Sequence, residues 1–348
     1  MTSHNVRGNT VPDNLTEFVQ TASVSNKQVD TEYVYRISQQ AMNEYSSARQ
    51  HINKLVQNEL KACEGLEDIL ARIVRDVKQW ANLEYYESKQ LRLKKLVKDE
   101  ELLFDVMFQL VCLCSRYDEK PELLSSIMGQ GAYKLTMFTE HRDRLITTGE
   151  LLSHLHRYGL IEITRIEAGG IGANFGRESL AMQSRIVLSK TTKNFIENSM
   201  KLLPLVEPPV TVTNNQQCGY HTFNDPVTLN GTISGKLALD VINIQNQTAL
   251  AISTDFLLNQ LELPNKEFDT AEQEKQWAQF MAESQQAYLQ LLGQSDRIWF
   301  DYKYDLRGRM YASGYHLNPQ GAPYKKAMLE FADKEYIEVP EQYRRQPT

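Results

Sequence analysis

Trp299-Phe300-Asp301-Tyr302-Lys303-Tyr304-Asp305-Leu306-Arg307-Gly308-Arg309-Met310-Tyr311, followed by Asn318-Pro319-Gln320-Gly321, is the part of the chain from which the rest can be read. Two arginines flank a glycine, an aspartate precedes them and an aromatic follows. A glycine there lets the main chain approach a ligand closely or take a positive φ. Each guanidinium can hold a phosphate through two parallel N–H donors. Asp305 is spaced to hold Arg307 or Arg309 before any ligand arrives. Tyr311 and Tyr315 offer ring faces to a sugar or a base. Between Tyr302 and Leu329 the basic residues are Lys303, Arg307, Arg309, Lys325 and Lys326, and the one acid is Asp305. The plainer alternative is a surface turn with solvated arginines.

The island stands out because the chain around it is acidic: 44 Asp and Glu against 38 Lys and Arg, a net charge of −6. Such a chain is not a general coat for nucleic acid, so any contact should be local. Its 348 residues, 41% of them apolar, are enough for two or three packed units. No apolar run reaches the roughly 18 residues of a membrane span, so no membrane partner is expected. The opening Met-Thr-Ser-His-Asn lacks the basic and apolar regions of a secretory signal. Four cysteines, Cys63, Cys112, Cys114 and Cys218, read as reduced thiols rather than a disulfide framework.

Upstream of the motif, residues 1–29 are polar and read as a tail or arm. Helical spacing starts at Asp30 and runs to about Cys63; a second helix follows from Leu66 to Trp80. Lys89, Arg92, Lys94, Lys95 and Lys98 form a basic run, either a face for nucleic acid or a solvated helix face. Glu101 to Cys114 is apolar enough for a buried helix, with Cys112 and Cys114 as buried thiols. His154 and His156 are two apart and point in different directions on a helix; only Glu150 is placed to join either as a metal ligand. The neighbouring leucines favour a core helix ending at Gly159. The period then changes to alternation at Leu160–Ile166, with Arg185–Leu188 as the expected partner strand. Between them, Gly169 to Gly176 is glycine-rich without the strand–loop–helix setting of a phosphate loop, and reads as a hairpin loop. A helix is expected from Thr191 to Leu203.

Pro204, Pro208 and Pro209 force an extended path. Leu237 to Leu261 reads as one long helix with a polar break at Asn243-Ile244-Gln245-Asn246-Gln247-Thr248, stopped by Pro264. A further helix from Thr270 to about Leu292 carries Trp277, Phe280, Met281, Tyr288, Leu291 and Leu292 on one side. The fold class is therefore mainly α with a small β component.

The string DLRGRMYASGYHLNPQGAPYKKAML resembles the Asp-x-x-Gly-Arg motif, with its Asn-Pro-Gln-Gly turn and lysine, of the bacteriophage and mitochondrial type of single-subunit DNA-directed RNA polymerase. Asp305, Gly308 and Arg309 match the defining letters; Arg307 and Tyr311 match commonly basic and aromatic positions. Asn318, Pro319, Gln320, Gly321 and Lys326 match the turn that follows. The Pro-rich Pro204–Thr211, the string Asn243-Ile244-Gln245-Asn246-Gln247-Thr248-Ala249 and the Gly159–Ile163 strand are similar to further parts of that family. The likeness spans roughly residues 40 to 340 and is strongest after 200.

The resemblance implies a division of the chain. Residues 1–29 would be the arm, and 30–203 a helical N-terminal domain with a β-hairpin near 160–188. Residues 204–261 would be an extended connector and long helix, 262–296 a short thumb-like helical hairpin, and 297–348 the first strands of a polymerase palm. The motif in that family touches template and RNA–DNA hybrid, so Asp305, Arg307, Gly308, Arg309, Tyr311, Asn318, Gln320, Gly321 and Lys326 become nucleic-acid-binding candidates. Asn243 and Asn246 join them, with polar breaks in an exposed helix face as the alternative. The family's two palm aspartates, which bind Mg²⁺, and its fingers helix lie beyond this motif and have no match here. No catalytic residue is therefore expected in this chain.

By resemblance, the chain is the smaller, N-terminal subunit of a split phage polymerase. A large catalytic subunit would supply the Mg²⁺ site, and the setting would be the cytoplasm of an infected bacterium. Residues 340–348 read as a polar, natural terminus. A single-stranded DNA-binding protein is a further expected partner, to open or present the template. Two rival readings differ in kind. One is a non-catalytic nucleic-acid-binding protein derived from a polymerase front half. The other is a stand-alone enzyme using His154, His156 and the glycine loop.

Overall fold

The computed structural model describes residues 31–168, 177–199, 201–229, 233, 235–259 and 267–335, without the side chains of 167, 168 and 177. The arm at 1–29, the glycine loop at 169–176 and the 340–348 tail lie outside the described residues. The described chain is mainly α with a small β part, as its periodicity predicts, and it divides into two compact units. One unit is Arg49–Glu197. The other joins Met1–Ala48 to Asn198–Thr348.

The Arg49–Glu197 unit is a helical assembly beside a small sheet. Its helices are α2 (Arg49–Lys61), α3 (Leu66–Ala81), α4 (Glu87–Leu96), α5 (Glu100–Cys114), α6 (Leu124–Ala132), α7 (His141–Arg157) and α8 (Lys190–Asn198). Leu66, Leu70, Ile73 and Val77 of α3 recur at helical spacing and meet Leu103, Met107, Leu110 and Cys114 of α5 and Leu151 and Leu155 of α7 in one core. Each such fully buried side chain contributes about 1.5–3 kcal/mol of transfer free energy. Asp99 caps α5 by accepting the Leu102 N–H at 3.0 Å. The strands β1 (Glu122–Leu123), β2 (Ile161–Ala168) and β3 (Arg177–Ser184) form an antiparallel sheet in the order β1-β3-β2. The partner of β2 is thus Arg177–Ser184 and not Arg185–Leu188: Ile161 faces Ser184 and Ala168 faces Arg177. The four residues 185–188 lie past the end of the ladder.

In the other unit, the first helix is α1 (Thr31–Ser47); the helix expected over 30–63 is interrupted at Ala48. Polar contacts hold α1 in place. Gln40 Oε1 accepts the Val206 N–H at 2.7 Å, and the Glu44 carboxylate accepts the N–H groups of His221 and Thr222 at 2.9 and 2.7 Å. Residue 48 therefore divides what reads as one helical domain over 30–203. The region after 236 is α9 (Leu239–Asn246), β4 (Leu250–Ile252), α10 (Thr254–Asn259), α11 (Ala271–Gln294), β5 (Tyr302–Tyr304), β6 (Met310–Ala312), α12 (Pro323–Ala327) and β7 (Leu329–Phe331).

The long helix expected over Leu237–Leu261 is accordingly a helix, a strand and a helix. The run Leu250-Ala251-Ile252 pairs antiparallel with β7, and a short apolar run suits a strand as well as a helix. Residues 298–304 thread through the middle of the unit. Ile298 bridges Leu250, Trp299 bridges Leu205, Tyr304 bridges Thr228, and β5 pairs with β6. The core beneath is Val206, Ile252, Tyr288, Leu291, Ile298, Phe300, Ala312, Leu317 and Met328. Of the expected 262–296 hairpin, residues 267–296 are described; they hold α11, whose C-terminal half contributes Tyr288 and Leu291 to that core. Residues 260–266 lie outside the described residues.

Candidate nucleic-acid interface

The Arg-Gly-Arg step is the tip of the β5–β6 hairpin. Asp305 N–H donates to Arg309 O at 2.8 Å, and Gly308 N–H donates to Asp305 O at 3.0 Å. The loop is then Leu306-Arg307-Gly308, a tight turn closed by a residue with φ +80, which only glycine takes without strain. Asp305 organises both arginines. Its Oδ1 accepts the Arg307 and Arg309 N–H groups, each at 2.9 Å. Its Oδ2 accepts from Arg309 Nε at 2.8 Å and Nη2 at 2.7 Å, and from Arg307 Nε at 3.4 Å. The Arg309 N–H bond, then the Arg309 side chain, hold the Asp305 carboxyl below its ordinary value; Asp305 in turn raises Arg309. Arg309 also lies over the Tyr311 ring, 5.5 Å from its centroid. Arg307 and Arg309 remain exposed. The arrangement can present two oriented guanidinium groups to an anion with little further ordering.

The Asn-Pro-Gln-Gly turn has a mechanical role behind the hairpin. Gln320 Oε1 accepts the Ala312 N–H at 2.8 Å and its Nε2 donates to Met310 O at 3.0 Å, so one side chain pairs the outer edge of β6 as a strand would. Asn318 Nδ2 donates to Ala312 O at 3.0 Å and Gly314 O at 3.2 Å, while its Oδ1 accepts the Gln320 N–H at 2.8 Å. Gly321 N–H closes the turn on Asn318 O at 3.0 Å. Asn318, Gln320 and Gly321 thus position Arg309 and Tyr311, and their amides are engaged within the chain. Lys326 is exposed on α12.

The basic island is smaller on the surface than in the sequence. Lys303 is buried and ion-paired with Asp225. Lys325 donates to Tyr315 O at 2.5 Å and burial lowers its pKa. The outward cations are Arg307, Arg309 and Lys326.

Asn246 turns inward and Asn243 is half-buried, both engaged with the main chain. Asn243 clamps the Pro-rich segment: its Oδ1 accepts the Val212 N–H at 2.8 Å and its Nδ2 donates to Val212 O at 2.9 Å. Asn246 is fully buried; its Oδ1 accepts the Tyr302 N–H at 2.9 Å and its Nδ2 reaches Asp301 Oδ1 at 3.4 Å. Asn246 thus holds the base of the hairpin, and Asn243 holds the Pro-rich segment.

Asp301 has a structural part that its sequence does not signal. It is buried, and its Oδ1 accepts the Gly219 N–H at 2.7 Å. Burial pushes its carboxyl up to about 6, against the pull of Lys303. Among the described residues its Oδ2 has no hydrogen-bond partner.

Of the remaining candidates, Lys94, Lys95 and Lys98 are exposed and the others are engaged within the chain. Arg92 is buried and holds Glu150 through Nη1 at 2.5 Å and Nη2 at 3.0 Å, so the basic run of α4 is partly internal. Glu150 is committed there. His154 packs edge-on to Trp80 at 5.2 Å, and His156 Nδ1 lies 3.1 Å from Ile161 O. Cys112 and Cys114 are buried thiols, pushed up to about 12 by desolvation. Among the described residues no three His, Cys, Asp or Glu side chains converge as metal ligands, and no helix is long and apolar enough to cross a membrane. Compared with known proteins, the sequence matches no family model and no curated protein.

Proposed function

We propose that this chain is the N-terminal subunit of a two-chain DNA-directed RNA polymerase of the phage type. In this reading it holds template and RNA–DNA hybrid while a larger partner supplies the carboxylates that bind Mg²⁺. The observation that carries the reading is the Asp305-organised hairpin. Two exposed arginines are fixed at a tight turn, and the Asn318–Gly321 turn braces the strand behind them. Two-metal phosphoryl transfer needs the strand held in register with the metals, and oriented guanidinium groups do that through phosphates without reading sequence.

The β4–β7 sheet supports the need for a partner. Strand β7 pairs only with β4 among the described residues, and Phe331 is largely exposed. An edge strand with an uncovered aromatic is a place for another chain's strand to pair. In this proposal the partner continues the palm sheet there. A single-stranded DNA-binding protein would present the template.

The test is hybrid binding by the two-chain complex, followed by fluorescence anisotropy across a salt series. Phosphate contacts predict affinity falling linearly with salt on logarithmic axes, and a slope shallower by about one when Arg309 becomes alanine. A flat salt response would remove the interface from this role.

A further inference from the structure

Beside the hairpin, α11 and the segment 314–325 enclose an open cleft of about 470 Å³ lined by Trp277, Phe280, Gly314, Asn318, Tyr324 and Lys325 among others. Its walls are aromatic. Trp277 lies 5.4 Å from Phe280 and meets Tyr324 edge-on at 6.3 Å; Phe280 meets Tyr315 edge-on at 5.7 Å. Gly314 lets the chain pass close to Leu317, where a Cβ would come within 2.3 Å of the Leu317 carbonyl oxygen. At one side stands the Lys325 ammonium, over Phe280 at 5.1 Å and Tyr315 at 5.7 Å. An ammonium has three donors, and Tyr315 O takes one of them.

We infer that this cleft is a stacking site for one unpaired base of a single-stranded nucleic acid, with Lys325 meeting the base's carbonyl oxygen or the adjoining phosphate. Three features favour a base over an aliphatic side chain. Trp277 and Tyr324 bring rings to the cleft from two elements, and a ring suits the π face that every base carries, whereas Phe280 is itself stacked on His316 at 5.6 Å and lies under Lys325. The polar group at the rim is a cation already poised by two rings and a carbonyl. The same short stretch of chain carries the exposed Lys326 and, on its hairpin, Arg307 and Arg309. Glu274 lies about one turn before Trp277, so the strand's phosphates belong on the Lys325 side. The inference rests on the reading of this chain as a holder of nucleic acid, but it assigns a different site and a different strand element from the hybrid contacts.

The experiment uses the full chain and a single-stranded oligodeoxythymidine of about twelve nucleotides carrying one 2-aminopurine, a length within the usual site range. Stacking should quench the 2-aminopurine on binding. Trp277→Leu, which keeps apolar volume without an aromatic face, should lose the quench and weaken binding about tenfold, a typical loss for one stacked base. Trp277→Phe should restore both. An abasic oligonucleotide of the same length should bind the wild type and Trp277→Leu equally. Overturning results are an unquenched base in the wild type, or equal affinities of wild type and Trp277→Leu for the intact oligonucleotide. If Arg309→Ala nevertheless weakens hybrid binding, the hairpin reading stands and the cleft alone is refuted. If neither oligonucleotide binds, the cleft fails together with single-strand binding by this chain.

Discussion

Asp305 grips Arg309 three times: Oδ1 takes its backbone N–H at 2.9 Å, and Oδ2 takes Nε and Nη2 at 2.8 and 2.7 Å. One carboxylate thus fixes the turn and aims the guanidinium. If the chain works in the proposed two-chain polymerase, Arg309→Ala should cut its RNA synthesis severely while assembly stays intact. Asp305→Asn, which weakens the grip but keeps the arginine, should fall between. Synthesis rates set against co-purification of the two chains measure both; normal synthesis by Arg309→Ala would take the motif out of its role.

Gly308 separates backbone strain from crowding. Its φ is +80, and a Cβ there would meet nothing within 4 Å. Gly308→Val should cost about 1–2 kcal/mol, the penalty of a left-handed conformation, and more than Gly308→Asn, which tolerates it better. Urea denaturation of the two variants checks the order. Equal stability of all three proteins would mean that the turn takes another conformation.

Asn246 is the joint between α9 and β5. Replacing it by leucine leaves the Tyr302 N–H and Asp301 Oδ1 without their amide partner. The expected loss is about 1–3 kcal/mol for an unsatisfied buried group. A lower urea midpoint with unchanged slope is the predicted result; an unchanged midpoint would contradict the placement of that amide.

Much of this was legible in the sequence, and the gaps have physical causes. The hairpin tip was legible because Asp305, Gly308 and Arg309 act within five residues of one another. The α3, α5 and α7 core was legible because apolar residues recur at helical spacing within each helix: Leu66, Leu70, Ile73 and Val77 in α3, Leu103, Met107, Leu110 and Cys114 in α5, Leu151 and Leu155 in α7. The strand at Leu250–Ile252 was not, since three apolar residues fit a buried helix equally well until β7 supplies their partner. Asn246, Glu44 and Asp301 escaped because their partners lie 55 or more residues away, and local spacing carries no trace of them. The partner strand of β2 was misplaced because Arg185-Ile186-Val187-Leu188 is more apolar than Arg177–Ser184, whose ladder is set by register with β2.

Asp301 gives the stability a pH signature. Burial lifts its carboxyl from 3.8 to about 6 in the folded state. The native state therefore binds more protons than the unfolded chain between those values, and this group's contribution to stability falls as pH rises through that window. Asp301→Asn should gain stability over the wild type above about pH 6 and lose that advantage toward pH 4. Urea midpoints of both proteins across that range provide the check; a constant difference would mean that Asp301 titrates at its ordinary value.

The proposed function is that this chain holds nucleic acid for catalysis carried by another. Its most direct test is primer extension on an RNA–DNA hybrid scaffold, with this chain co-expressed beside the product of the adjacent gene and each chain assayed alone. Mg²⁺-dependent extension is expected only when both are present, with loss on Arg309→Ala. Extension by this chain alone, or by the partner alone at the full rate, would contradict it.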